Sequence, residues 1–83
     1  MSDLPAGREL YVRHAKMDGR SVALLRAIDH GDSCIVEAEV FSSSDGLSVK
    51  PGPYKFAGAR EATAFVTDAV ETLMYLGCEV FAH

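Results

Sequence analysis

The sequence predicts an α+β domain in which one long helix packs on one face of a three- to five-stranded, mainly antiparallel sheet. Residues 59–76 are the only segment that keeps a helical apolar period over several turns. Two runs of strand-forming residues flank Asp18-Gly19, a dipeptide that accepts the positive φ angles of a type I′ hairpin turn. A chain of 83 residues has room for one modest core, so a single domain is expected.

The predicted helix over about residues 59–76 is amphipathic. With about 100° of rotation per residue, its apolar positions fall in one stripe. The stripe consists of Ala62, Phe65, Val66, Ala69, Val70, Leu73 and Leu76. Gly77 follows where a left-handed residue commonly ends a helix, whereas Gly58 offers no side chain to cap the start. The apolar stripe must be buried, so strands elsewhere in the chain are expected to cover it.

Three antiparallel strands are predicted before the helix, over residues 9–17, 20–29 and 34–42. Turns at residues 18–19 and at His30-Gly31, or the longer 30–33, join them. A two-residue turn sets the register of the first hairpin. The predicted pairs are Met17 with Arg20, Ala15 with Val22, Arg13 with Leu24, and Tyr11 with Arg26.

This register divides the strand residues between two faces of the sheet. The first face is apolar and mostly small, which suits a closely packed helix. It contains Leu10, Val12, Ala23, Leu25, Ala27, Cys34, Val36, Ala38 and Val40, with His14 at its edge. The second face mixes large apolar and charged groups: Tyr11, Arg13, Met17, Arg20, Val22, Leu24, Arg26, Ile28, Ile35, Glu37, Glu39 and Phe41. A purely solvated face would not need so many large apolar side chains.

The rest of the chain predicts loops and short edge strands. Residues 1–7 form a loose lead-in to a domain over 8–83, and residues 42–46 form a polar turn. Residues 47–50 favour a short fourth strand that Pro51 and Pro53 confine to a sheet edge and that residues 54–56 resume. Beyond the helix, residues 78–82 favour a fifth strand that returns along the sheet.

Composition narrows the class of protein. A net charge of −4 disfavours general binding to nucleic acid or to anionic membranes. Neither a signal peptide nor a membrane-spanning segment is expected, so the default location is the cytoplasm. Cys34 and Cys78 are too few for a disulfide framework, and both are predicted to be buried, reduced thiols.

No catalytic, cofactor-binding or metal-ligating residue is predicted, and the function is expected to be non-enzymatic. Cys34 has His30 nearby but no third orienting residue. Cys78 and His83 are two potential zinc ligands, whereas a structural zinc site needs four. Glu37 and Glu39 on one strand are typical of an exposed charge pattern.

The second sheet face is the predicted functional surface, and a small interaction module is the predicted function. The partner is a second copy of the chain, forming a homodimer, or another protein. The candidate residues are Tyr11, Arg13, Arg20, Val22, Leu24, Arg26, Ile35, Glu37, Glu39 and Phe41.

The alternative function is single-stranded nucleic-acid binding through the same face. Aromatic rings interleaved with arginines, as at Tyr11, Arg13, Arg20, Arg26 and Phe41, are typical of surfaces on which unpaired bases stack. The order of four strands and a helix resembles the PUR-type repeat, and this resemblance implies the same activity. Glu37 and Glu39 would place negative charge in the path of a phosphate backbone.

Overall fold

A computed structural model describes residues 7–42 and 47–82 of the chain. Its elements are β1 (Arg8–Met17), β2 (Arg20–Asp29), β3 (Cys34–Phe41), β4 (Ser48–Val49), β5 (Tyr54–Phe56), α1 (Ala59–Tyr75) and β6 (Glu79–Ala82). The strands form one open antiparallel sheet in the order β4-β3-β2-β1-β6, and β5 also pairs with β3. The helix packs on one face of this sheet, which confirms the predicted α+β fold. The predicted lead-in, apart from Gly7, and the predicted polar turn over residues 42–46, apart from Ser42, lie outside the described residues.

The two edges of the sheet are built from the short strands. β4 pairs with the end of β3 and β5 with its beginning, so together they form one interrupted edge strand. Pro51 and Pro53 lie in the interruption, as predicted, because proline has no backbone N–H to donate. β6 pairs antiparallel with Arg13–Lys16 of β1 at the opposite edge, which confirms the predicted return of the chain after the helix.

Both predicted hairpin turns are present. Asp18 and Gly19 have φ angles of 53° and 78°, the left-handed values that a type I′ turn requires. The second connection is the longer of the two predicted forms. Its backbone is closed by a hydrogen bond from the His30 N–H to the Ser33 carbonyl at 2.9 Å.

The helix ends in a Schellman motif around Gly77, whose φ is 104°. The Gly77 N–H donates to the Met74 carbonyl, and the Cys78 N–H donates to the Leu73 carbonyl, each at 3.0 Å. Leu76 is the C-cap residue and its side chain is 65% exposed. Its prediction as part of the buried stripe is therefore wrong, because it lies beyond the last turn that faces the sheet.

The predicted register of the β1–β2 hairpin is wrong after its first pairs. Met17 faces Arg20 as expected, but Ala15 faces Ala23, and Val22 is left over as a β-bulge. Side chains alternate between the two faces of a strand. One extra residue in β2 therefore changes which residues of β1 and β2 lie on the same face of the sheet. A second irregularity near Leu10 resets the pairing at the far end of β1.

The bulge places the odd-numbered residues of β1 from Tyr11 to Met17 on the face that carries the helix. We call this face the helix side and the opposite one the outer face. Tyr11 and Arg13 face Ala27 and Leu25, and the Tyr11 hydroxyl lies 2.9 Å from Thr63 Oγ1 of α1. The predictions that put Tyr11, Arg13, Met17 and Arg20 on the face away from the helix, and Val12 on the face towards it, are therefore wrong.

Small residues line the sheet where the helix lies closest. The fully buried strand residues all belong to the helix side: Ala15, Ala23, Leu25, Ala27, Cys34 and Val36. Ala62 and Val66 of α1 pack against them, and Phe65 stacks on Tyr54 and Phe56 with ring centroids 5.0 and 5.3 Å away. A second cluster of Ala15, Ala23 and Cys78 lies at the other end of the helix, and Val22 packs against it. The predicted burial of both cysteines is confirmed.

Candidate interaction face

The outer face of the sheet has large side chains and no helix over it. The registers put one row across β6, β1, β2 and β3, made of Phe81, His14, Leu24 and Glu39. The neighbouring rows are Val12, Arg26 and Glu37, and then Glu9, Ile28, Ile35 and Lys55. None of these side chains is fully buried. Lys50, Pro51 and Pro53 border this surface at the edge of the sheet.

Six of the ten predicted interaction residues lie together on the outer face: Leu24, Arg26, Ile35, Glu37, Glu39 and Phe41. The other four do not. Tyr11 and Arg13 lie beside the helix, Arg20 pairs with Met17 at the hairpin end, and Val22 is the bulge residue that packs on the core.

Sequence reasoning did not assign Val12, His14 or Phe81 to this face. The first two were assigned to the opposite side because the predicted register lacked the bulge. The position of Phe81 on this face follows only from the pairing of β6 with β1, in which Phe81 lies opposite His14. The alternation of residues 79–82 predicts a strand, but the sequence contains no signal for which edge it joins.

Arg26 is the centre of an ion cluster that joins three strands. Its Nε and Nη2 atoms donate to Glu37 Oε1 of β3 at 3.1 and 2.5 Å, and its Nη1 atom lies 3.7 Å from Glu9 Oε1 of β1. The hydrogen bond and the charge of Glu37 raise the pKa of Arg26 above its usual value. These side chains are about half exposed, so the cluster orients the guanidinium more than it stabilises the fold.

Two further polar contacts lie on the outer face. His14 Nε2 lies 2.8 Å from Ser21 Oγ, and the Ser48 hydroxyl donates to Glu39 Oε2 at 2.6 Å. Glu37 and Glu39 are thus engaged by Arg26 and Ser48, and neither approaches the other as an acid–base pair would.

A shallow groove of about 560 Å³ crosses the outer face beside β3. Val12 and Leu24 supply apolar contacts, and Pro51 and Pro53 form the wall at the sheet edge. Arg26, Glu37 and Glu39 bring charge to the same groove. An open groove of this kind accommodates protruding side chains of a partner better than it encloses a small molecule.

The described residues offer no metal centre or activated nucleophile. They contain no group of three or more His, Cys, Asp or Glu side chains that could hold a metal ion. Burial, with a smaller contribution from the charge of Asp29, raises the pKa of the Cys34 thiol and so favours its unreactive, protonated form. His83, the second member of the pair considered with Cys78, lies outside the described residues.

Comparison of the chain with models of protein families, with curated proteins and with solved structures finds no match. Among the described residues, no helix has the length and apolar character needed to cross a membrane.

Proposed function

We propose that this protein is a small interaction module that associates through its outer sheet face, with a second copy of the chain as the partner. The observation that carries this proposal is the contrast between the two faces. One is covered by α1, while the other leaves Val12, Leu24, Ile35 and Phe41 without a covering element in the described structure. A band of partly buried apolar side chains bordered by charges is the usual composition of a protein contact.

Charge favours a second copy as the partner. The face carries both signs, with Arg26 and Lys16 among Glu9, Glu37 and Glu39. In a two-fold contact, a patch meets its own copy, so Arg26 of one chain can approach Glu39 of the other. Arg26 is already paired with Glu37 of its own chain, so its guanidinium is not left unpaired when a partner covers the face.

The geometry gives less support to single-stranded nucleic-acid binding. Tyr11 and Arg13, which that function would use beside Phe41, lie on the helix side. The arginine that stays on the outer face is held by Glu37, and three glutamates share the surface. Lys16, Lys50 and Lys55 border the same surface, so a phosphate backbone would meet charges of both signs and no continuous basic track.

The experiment is to replace Leu24 with arginine and to measure molar mass by light scattering over a range of protein concentrations. Leu24 lies in the middle of the face, between His14 and Glu39, so a charge introduced there would have to be buried in the contact. We expect the wild type to exceed the monomer mass at high concentration and Leu24→Arg to lower that mass. Melting curves establish that the variant is folded.

The matched control is Val49→Arg, which adds the same charge at an exposed apolar residue on the helix side of β4. It should leave the mass unchanged. A wild type that stays monomeric at the highest concentration, or a Leu24→Arg protein of undiminished mass, would overturn the proposal. Association should also persist at high salt, because its driving force is apolar.

A further inference from the structure

The two edges of the sheet differ in how they are protected. Exposed edge strands can pair with other chains, and proteins commonly prevent this with proline, lysine or an interruption. The β4–β5 edge has all three, because Pro51 and Pro53 interrupt it and Lys50 and Lys55 flank the break. β6 is a continuous strand, and residues 79–82 include neither proline nor lysine.

β6 has backbone groups available for pairing. It pairs with β1 on one side, and no described strand lies on its other side. In an antiparallel ladder, alternate residues direct both their N–H and C=O groups to the same side. Two of the four residues of β6 therefore point these groups away from β1, towards the open edge.

Apolar side chains lie on both sides of this edge. Phe81, on the outer face, is 44% exposed. Met74, on the helix side, is 58% exposed. Thr63 contacts Tyr11 of β1, and Met74 follows it by eleven residues, which is about three helical turns. Helical periodicity thus puts Met74 on the same side of α1 as Thr63, towards β1 and β6, and the end of α1 that carries Met74 packs near this edge through Leu73.

We propose that β6 pairs antiparallel with β6 of a second copy, forming one sheet that continues across both chains. A two-fold axis perpendicular to the sheet generates this pairing and keeps both helices on the same side. With Val80 facing its own counterpart, each side chain meets one from the same face of the other sheet. The two Met74 side chains then approach each other above the new strand pair.

Charge supports a second copy as the occupant in this register. Glu79 of one chain lies opposite Phe81 of the other. The Lys16 ammonium lies 5.7 Å from the centroid of that Phe81 ring within its own chain. Glu79 already faces Lys16 of its own chain, and the new strand pair also brings its carboxylate beside the Phe81 ring of the other copy and the Lys16 near that ring. The same contact occurs twice about the axis.

The edge contact and the outer-face contact are independent. The two-fold axis of the edge contact is perpendicular to the sheet, and that of a face-to-face contact lies parallel to it. Perpendicular two-fold axes can coexist in a closed assembly of four chains. Each contact can therefore be removed without the other, and each has its own readout.

The test of the edge contact is amide hydrogen exchange of residues 79–82 at low and high protein concentration. We expect the outward-pointing β6 amides of the wild type to exchange at least about tenfold more slowly when the protein is concentrated. Met74→Lys should remove this concentration dependence, and should lower the molar mass, because it places two ammonium groups against each other. Leu24→Arg should leave the β6 protection intact.

Thr72→Lys is the matched control. It is exposed on the same helix two residues earlier, and a rotation of about 200° places it on the opposite side of the axis. It should behave as the wild type. The proposal is overturned if exchange of the β6 amides does not depend on concentration, or if Met74→Lys and Thr72→Lys have the same effect. If Leu24→Arg alone lowers the mass while β6 remains unprotected, the outer-face contact stands and the edge contact falls.

Discussion

Leu73→Ala should destabilise the protein far more than Glu71→Ala. Leu73 is the helix residue that packs against both buried clusters, the one around Val36 and the one around Cys78. Its side chain is partly buried, so the loss should lie in the lower half of the usual range for such truncations, about 2–3 kcal/mol. Glu71 is exposed two residues earlier, and its truncation should change the free energy of unfolding by less than about 0.5 kcal/mol.

The assay is urea denaturation of both variants and the wild type, at a concentration where all three are monomeric. In a domain of this size, the Leu73 variant should also melt about 10–20 °C lower. The comparison holds the helix and its local sequence nearly constant and changes only which side of α1 loses atoms. Equal midpoints for the two variants would refute the assignment of the buried stripe.

Three further predictions follow from the core and its polar contacts. Chelator and reductant should each leave the melting temperature unchanged, since the described residues form no metal cluster and the two buried cysteines are free; a large drop with either would contradict this. Tyr11→Phe should cost at most about 1 kcal/mol, and the cost should vanish in a Thr63→Val background, because the hydroxyls of Tyr11 and Thr63 hydrogen-bond to each other across the helix–sheet contact; an undiminished cost in that background would exclude the bond. Burial raises the pKa of Cys34 in the folded protein, so as pH rises the unfolded chain loses the thiol proton at a lower pH than the folded one. The stability of the wild type relative to Cys34→Ala should therefore fall as pH rises above the ordinary thiol pKa of about 8.5. A difference between the two urea midpoints that does not change with pH would contradict this.

The local signals in the sequence were sufficient for most of the fold. Asp18-Gly19 specifies its turn because both residues must accept positive φ, and Gly77 ends the helix for the same reason. Pro51 and Pro53 mark the interruption of the edge strand because neither can donate a ladder hydrogen bond. Each of these features depends on one or two residues and not on distant contacts.

The composition of the candidate face could be predicted only in part, because it depends on register. β3 has no bulge, so Ile35, Glu37, Glu39 and Phe41 alternate as expected. β1 is different, since its even and odd residues are similarly apolar and hydrophobicity alone does not choose between them. The β-bulge at Val22 decides which residues of β1 face the helix, and no glycine or proline beside Val22 marks it in the sequence.

Residue size gives a criterion that hydrophobicity does not. Ala15 and Ala23 face each other, and Ala27 lies on the same face four residues further along β2. These small side chains share one face only if Val22 is skipped in the pairing. A helix that packs closely on a sheet needs such small residues beneath it, and these three are nearly or fully buried. With the helix on the alanine side, the longer side chains of Val12, Leu24 and Arg26 necessarily share the other face. The same bulge that closes the core thus determines which residues are left for a partner.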